Sequence, residues 1–387
     1  MIEITFPRTI IVGKGASEYL RNIEGKKALV IIGKNVRELG FADKVAGYLR
    51  EAGIEPIFFE VEPEPSVETI MRGAELARAY APDLIIGLGG GSNIDAAKAI
   101  WALYERPDVE LASIRPFVKL GLRKRAKLIC IPTTSGAGSE ASGASVITNP
   151  AEEKKMELYS RELVPDIAIV DSDFPMTMPQ KLVAETGFDA LSHAMEAYVS
   201  PFKNDFSEIL AIKAIQLIFK YLQRSYMNPK DMEAREKMHI AATMAGMAFA
   251  NAGVGVTHAL GHAAGGVLHI PHGRAMAIIL PYSIEYNAKV AMQRYAEIAR
   301  AVGIEAKTDD DAWKILVESI MQLRRNLNIP SSFKEAGISR EEFEKKLEDL
   351  ANKAAKSAVL RGSPRPLSIE EARKLFIYIY EGKRVGF

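Results

Sequence analysis

The stretch Asp83-Leu-Ile-Ile-Gly87-Leu-Gly89-Gly90-Gly91-Ser92-Asn93-Ile-Asp95-Ala-Ala-Lys98 reads as a buried strand, a turn of three glycines and the start of a helix. Glycine lets backbone approach a ligand closely, and free amide N–H groups at a helix N-terminus attract a diphosphate. Three consecutive glycines exceed what a tight strand–helix turn needs, so phosphate binding is favoured over a plain connection. The turn is not the usual dinucleotide fingerprint, because Ser92 stands where the third glycine of a Gly-x-Gly-x-x-Gly pattern begun at Gly87 would fall.

The same alternation extends outward through the first half. Strand patterns cover residues 27–32, 56–61, 84–88, 127–132 and 167–171, with helical patterns such as 67–80 and 94–104 between them. Strand–helix alternation at this spacing predicts a Rossmann-like parallel sheet with helices on both faces. A second loop, Thr133-Thr134-Ser135-Gly136-Ala-Gly138-Ser139-Glu140, also ends a predicted strand. Two polar, glycine-rich loops at the carboxyl ends of parallel strands lie where open α/β sheets bind ligands. After Pro175 and Pro179 only helical patterns follow, over residues 181–198, 205–221, 231–251, 290–302, 309–327, 340–355 and 369–380. The boundary falls near residue 178, giving an α/β domain over residues 1–178 and an all-helical domain over 179–387.

Composition narrows the function classes. At 387 residues the length suits two or three domains. With 50 Lys and Arg against 49 Asp and Glu, the chain is not a globally basic nucleic-acid binder. The single cysteine, Cys130, excludes an internal disulfide framework and any all-cysteine metal site. The N-terminus lacks the basic and apolar regions of a secretory signal, and the apolar run 240–256 reads as a buried core helix. A cytoplasmic protein with no membrane partner is expected.

All six histidines fall between residues 193 and 272. Asp189 and His193 are four apart in a helical pattern, which puts both on one face, and His258 and His262 repeat the spacing. His272 follows in Pro271-His272-Gly273. Taken together, Asp189, His193, His258 and His272 suit a first-row divalent ion, Fe²⁺ or Zn²⁺. The order is not His-Glu-x-x-His, which disfavours a zinc protease. His239, among charged neighbours, reads as an ordinary helix-surface residue, and His269 as a structural turn residue.

These motifs carry a resemblance over almost the whole chain. It runs from Phe6-Pro-Arg-Thr-Ile-Ile-Val-Gly13 through the glycine turn, Thr133-Thr-Ser-Gly-x-Gly-Ser-Glu140, Asp189-Ala-Leu-x-His193-Ala-x-Glu-Ala-Tyr198, His258-x-x-x-His262 and Pro271-His-Gly273 to Ser363-Pro-Arg365. In this the chain resembles the iron-containing (group III) alcohol dehydrogenases, the family of lactaldehyde reductase, 1,3-propanediol dehydrogenase and butanol dehydrogenase, with a dehydroquinate synthase-like architecture. The resemblance implies metal ligation by Asp189, His193, His258 and His272, and proton relay or nicotinamide contact by His262. It implies a pyrophosphate and ribose site at Gly89, Gly90, Gly91, Ser92 and Asp95, with a second cofactor loop at Thr133, Thr134 and Ser139. Lys155 aligns with a lysine that reaches the nicotinamide ribose, and Phe249 with an aromatic lining the substrate pocket.

One departure bears on the cofactor. Family members that use NAD carry an aspartate after the first long strand, whereas here Gly33-Lys34-Asn35-Val-Arg37 follows. An acidic side chain would repel a 2′-phosphate; Gly33 leaves space for one and Lys34 or Arg37 would neutralise it, so NADP(H) is expected over NAD(H). The function expected is reversible hydride transfer between NADP(H) and a primary alcohol or aldehyde at an Fe²⁺ site in the interdomain cleft, in a homodimer or larger homo-oligomer. The competing readings are a zinc-dependent glycerol dehydrogenase, a dehydroquinate synthase-like enzyme and a metal-dependent hydrolase.

Overall fold

The computed structural model describes residues 2–116, 118–149 and 154–387. The chain divides into two compact units, Met1–Met178 and Pro179–Phe387.

In the first unit the elements run β1 (Thr9–Gly13), β2 (Lys27–Gly33), α1 (Lys34–Glu38), α2 (Phe41–Glu51), β3 (Glu55–Val61), α3 (Val67–Tyr80), β4 (Leu84–Gly89), α4 (Gly91–Glu105), β5 (Lys127–Pro132), β6 (Ala144–Asn149), β7 (Lys154–Tyr159) and β8 (Ile167–Asp171). Six strands form one parallel sheet in the order β1-β8-β5-β4-β2-β3. Its interior strands carry almost no polar residue because both faces are covered. Along β2 the faces alternate: Leu29 and Ile31 pack with Ile70, Ile100 and Trp101 of α3 and α4, whereas Ala28, Val30 and Ile32 pack with Val45 and Leu49 of α2. Beside the sheet, β6 and β7 form a separate antiparallel pair.

The chain places β3 on one side of β2 and β4 on the other. The strand order therefore reverses between β2 and β4, and their carboxyl ends, Gly33 and Gly89, flank the crevice that such a reversal opens.

In the second unit the helices are α5 (Gln180–Val199), α6 (Asp205–Met227), α7 (Met232–Ala252), α8 (Val256–Leu268), α9 (His272–Ala301), α10 (Asp309–Asn326), α11 (Arg340–Ala355) and α12 (Ile369–Glu381). The expected helix over residues 290–302 is the end of a longer element: α9 begins at His272, contains Pro281 and kinks at Ala291. The apolar run 240–256 is split between α7 and α8, which meet at 105°, and no single helix among the described residues is long and apolar enough to cross a membrane. His239 is not a surface residue; it is buried at 1% exposure, as is Arg235 one turn earlier. Helix α7 is buried along two adjoining stripes, Ala234, Met238, Ala241, Ala245 and Ala248 on one and Arg235, His239, Thr243 and Gly246 on the other, so His239 turns inward despite its charged neighbours.

Candidate active site

The first unit assembles the predicted cofactor residues. Gly89 ends β4 with φ +144°, and a Cβ there would lie 2.0 Å from Asn93 Nδ2, so only glycine fits. No side chain caps α4 at Gly90, and although Asn93 N donates to Gly90 O at 3.1 Å, the Gly91 and Ser92 amides at the helix start are placed to meet an external acceptor. The second loop lies alongside: Thr133 N donates to Gly89 O at 2.9 Å, and a Cβ on Gly91 would reach Ala137 Cβ at 3.0 Å and Ser139 Oγ at 3.5 Å. Gly33 joins them from β2, 3.1 Å from Asn93 Oδ1 by the same measure. The structure thus brings Gly33, residues 89–92, Thr133, Thr134 and Ser139 to one edge of the sheet.

The remaining residues of this unit are engaged. Asp95 Oδ2 accepts from Val146 N at 2.9 Å, and burial pushes its carboxyl up. Lys34 pairs with Glu38 at 3.5 Å and Arg37 with Glu60 at 3.3 Å, both exposed pairs worth little and free to rearrange. Lys155 Nζ donates to Glu64 at 2.8 Å and to Thr148 Oγ1 at 3.1 Å. Lys98, to which the sequence reading gave no role, is fully buried, and its Nζ donates to Ser142 O and Ala144 O at 2.7 Å each. It fastens the end of the second loop to α4.

In the second unit, α5 presents Asp189 and His193 on one face, α8 presents His258 and His262, and α9 begins at His272. Ligand atoms of Asp189, His258 and His272 all lie within 4.8 Å of one another. Asp189 Oδ1 is 3.2 Å from His272 Nε2, 3.8 Å from His258 Nε2 and 3.8 Å from His193 Nδ1. Donors bound about 2.1 Å from one ion are separated by about 3.0 to 3.5 Å, so the Asp189–His272 pair already has that spacing and the two 3.8 Å pairs are slightly wider. Asp189 Oδ1, His193 Nδ1 and His258 Nε2 are buried and lack hydrogen-bond partners among the described residues. Buried polar atoms left unpaired are costly, and a cation held among Asp189, His258 and His272 would satisfy Asp189 Oδ1 and His258 Nε2, whereas His193 Nδ1 stands outside that three-residue group, 3.8 Å from Asp189 Oδ1. The donor set is thus suited to a first-row divalent ion.

Electrostatics favour the required protonation states. Burial pushes His193 down to about 3, leaving a neutral ring. Burial alone would raise Asp189, but the facing rings of His193, His272 and His258 outweigh it and hold the carboxyl below its ordinary value. His193 stacks between Phe249, with centroids 4.3 Å apart, and His258, at 4.4 Å. The His262 ring lies 5.8 Å from that of His258 and 5.4 Å from that of His272. With its side chain 43% exposed, His272 forms the accessible rim of the cluster, whereas His193 and His258 form its floor. His269 takes a left-handed conformation (φ 54°) that ends α8.

Two further residues shape the cluster. Gly273 lets the start of α9 touch α5: a Cβ there would fall 2.4 Å from Glu185 O. Glu196 pairs with His258 Nδ1 at 2.5 Å and accepts from Thr257 N at 2.6 Å. Burial would raise its carboxyl, but His258 and the amides of Gly255 and Thr257 lower it overall. Sequence reading gave Glu196 no role, although Asp189, His193 and Glu196 follow an i, i+4, i+7 stripe that marks one helix face.

The sequence matches the profile of iron-containing alcohol dehydrogenase over residues 7–172, and that of the C-terminal part of the Fe-containing alcohol dehydrogenase family over residues 183–380. The chain belongs to the iron-containing alcohol dehydrogenase family. This oxidoreductase is 45% identical over 390 residues to an NADPH-dependent butanol dehydrogenase of Clostridium saccharobutylicum, with 100% of each chain covered. Among solved structures it resembles an iron-containing alcohol dehydrogenase from Thermococcus thioreducens, with TM-score 0.89 and 35% identity over 99% of this chain and 100% of that one. It also resembles a 1,3-propanediol oxidoreductase, with TM-score 0.92 and 31% identity over 98% and 100% of the two chains. The Rossmann-like sheet and the helical unit are those of an iron-containing alcohol dehydrogenase.

Proposed function

We propose that this enzyme transfers hydride reversibly between NADP(H) and a primary alcohol or aldehyde, using Fe²⁺ held by Asp189, His193, His258 and His272. The observation that carries the reading is the convergence of unpaired, buried donor atoms from α5 and α8 with His272. When bound, the ion supplies Lewis acidity that lowers the pKa of an alcohol hydroxyl. Zn²⁺ suits the same ligand types, and the family likeness favours iron.

The chain's own residues supply the remainder. Amides at the start of α4 hold the cofactor diphosphate, with Thr133, Thr134 and Ser139 beside them. Lys155 exchanges its ion pair with Glu64 for the nicotinamide ribose. Gly33 and Lys34 receive the 2′-phosphate, a reading supported by the NADPH-dependent relative. Phe249, stacked on His193, gives the substrate an apolar wall. When bound, the nicotinamide would supply the hydride chemistry, and in the oxidation direction His262 would pass the hydroxyl proton of the alcohol to solvent. We further read the enzyme as a cytoplasmic homodimer or larger homo-oligomer, which light scattering of the purified protein would test; a monomer at micromolar concentration would overturn it.

Steady-state oxidation of NADPH with short aldehydes, before and after chelation and then with Fe²⁺ or Zn²⁺ restored, tests the central reading. We expect activity to vanish on chelation and return with the metal. Turnover that survives complete metal removal would overturn the metal role, and equal kcat/KM with NADH would overturn the cofactor preference.

A further inference from the structure

Glu196 lies one helical turn beyond His193 on α5, and both of its carboxylate oxygens are occupied. Oε1 accepts from the Thr257 amide at 2.6 Å, and Oε2 meets His258 Nδ1 at 2.5 Å. Glu196 and His258 are 3% and 2% exposed, so water does not compete for these bonds. On its other side Thr257 Oγ1 bonds Ser283 Oγ at 2.6 Å, tying the start of α8 to α9. Through Thr257, α8 is therefore anchored to both helices that carry the other donors.

A neutral imidazole bears a single N–H. Opposite an ionised carboxylate that hydrogen belongs on Nδ1, which leaves the lone pair on Nε2. Nε2 is the atom that lies 3.8 Å from Asp189 Oδ1 and has no hydrogen-bond partner among the described residues.

We propose that Glu196 is a positioning residue that fixes His258 in its Nδ1–H tautomer and aims Nε2 at the ion held with Asp189, His193 and His272. This rests on the metal reading above. A carboxylate is required rather than any polar group of similar shape. A glutamine could still accept from the Thr257 amide, but its NH₂ would face His258 Nδ1 and draw the lone pair there. The ring proton would then sit on Nε2 and block it as a ligand.

Glu196→Gln is thus a tautomer switch with little change in volume. The test compares the full-length wild-type chain, Glu196→Gln and Glu196→Asp by Zn²⁺ chelator competition, by the visible spectrum of the Co²⁺-loaded protein and by the melting temperature of the metal-free forms. Glu196→Gln should weaken Zn²⁺ binding about 10- to 100-fold and alter the Co²⁺ spectrum while the metal-free melting temperature stays near wild type. Glu196→Asp, which keeps the charge, should recover part of the affinity. Wild-type Zn²⁺ affinity and an unchanged Co²⁺ spectrum in Glu196→Gln would overturn the inference while leaving the metal reading intact. A wild-type chain that takes up no divalent ion would overturn both. Nitrogen-15 NMR of the Zn²⁺-loaded wild-type protein provides a measurement independent of any variant: His258 bound through Nδ1, with its proton on Nε2, would also overturn the inference.

Discussion

The two units of this enzyme offer their ligands opposite materials. The first presents backbone: glycines, uncapped amides at the start of α4 and small hydroxyl side chains at the ends of parallel strands. The second presents side-chain atoms, one carboxylate and several imidazoles, gathered from α5, α8 and α9. A site of side-chain donors loses its function when one donor is truncated. A site of amides survives most substitutions and fails only where the backbone path is disturbed. The contrast can be broken or sharpened by experiment.

The largest effect is expected from Asp189→Ala, which removes the donor closest to three rings. Aldehyde reduction should fall about 1,000-fold, with bound metal lost in parallel and NADPH affinity retained. Bound-metal analysis alongside titration of NADPH fluorescence checks this, and loss of NADPH binding would show that the regions are not separable. Next comes Gly89→Ala, which places a side chain in a conformation and space that exclude one. It should weaken NADPH about 30-fold while metal content stays near wild type.

Gly273→Ala should loosen metal about tenfold by lifting the start of α9 from the Glu185 carbonyl, as read by Zn²⁺ competition. Lys34→Ser should lower the NADPH-to-NADH ratio of kcat/KM about fivefold, the effect of one exposed charge against a phosphate. The smallest effect concerns Cys130, buried in β5 with its thiol pushed up by burial. Iodoacetamide should leave native activity unchanged and label the chain only after unfolding, which mass spectrometry would follow. Rapid labelling of the native enzyme would show that β5 opens readily.

Much of this was legible because it follows simple periods. The runs that became β2, β4, β5 and β8 are apolar on both faces, and the glycine turn marks where α4 begins. Strand β1 escaped notice because it is short and only partly buried, at the edge of the sheet. The β6–β7 pair did so because Lys154-Lys-Met-Glu-Leu-Tyr159 mixes charge with apolar residues outside the main sheet. His239 was misread because local charge was weighed above its helical spacing to Thr243 and Gly246, which lie buried on the same face. Glu196 lay in plain sight on the Asp189 stripe. Its role depends on a partner 62 residues away, which no local pattern reports.

The contact of Gly273 with Glu185 works as a hard stop. Hydrogen bonds stretch, but two atoms at closest approach do not compress, so α9 cannot slide further toward α5. His272, at the first position of α9, inherits that fixed distance. The backbone that carries His272 is therefore spaced from α5 by steric contact, and the side chains of His272 and Asp189 start from that fixed separation.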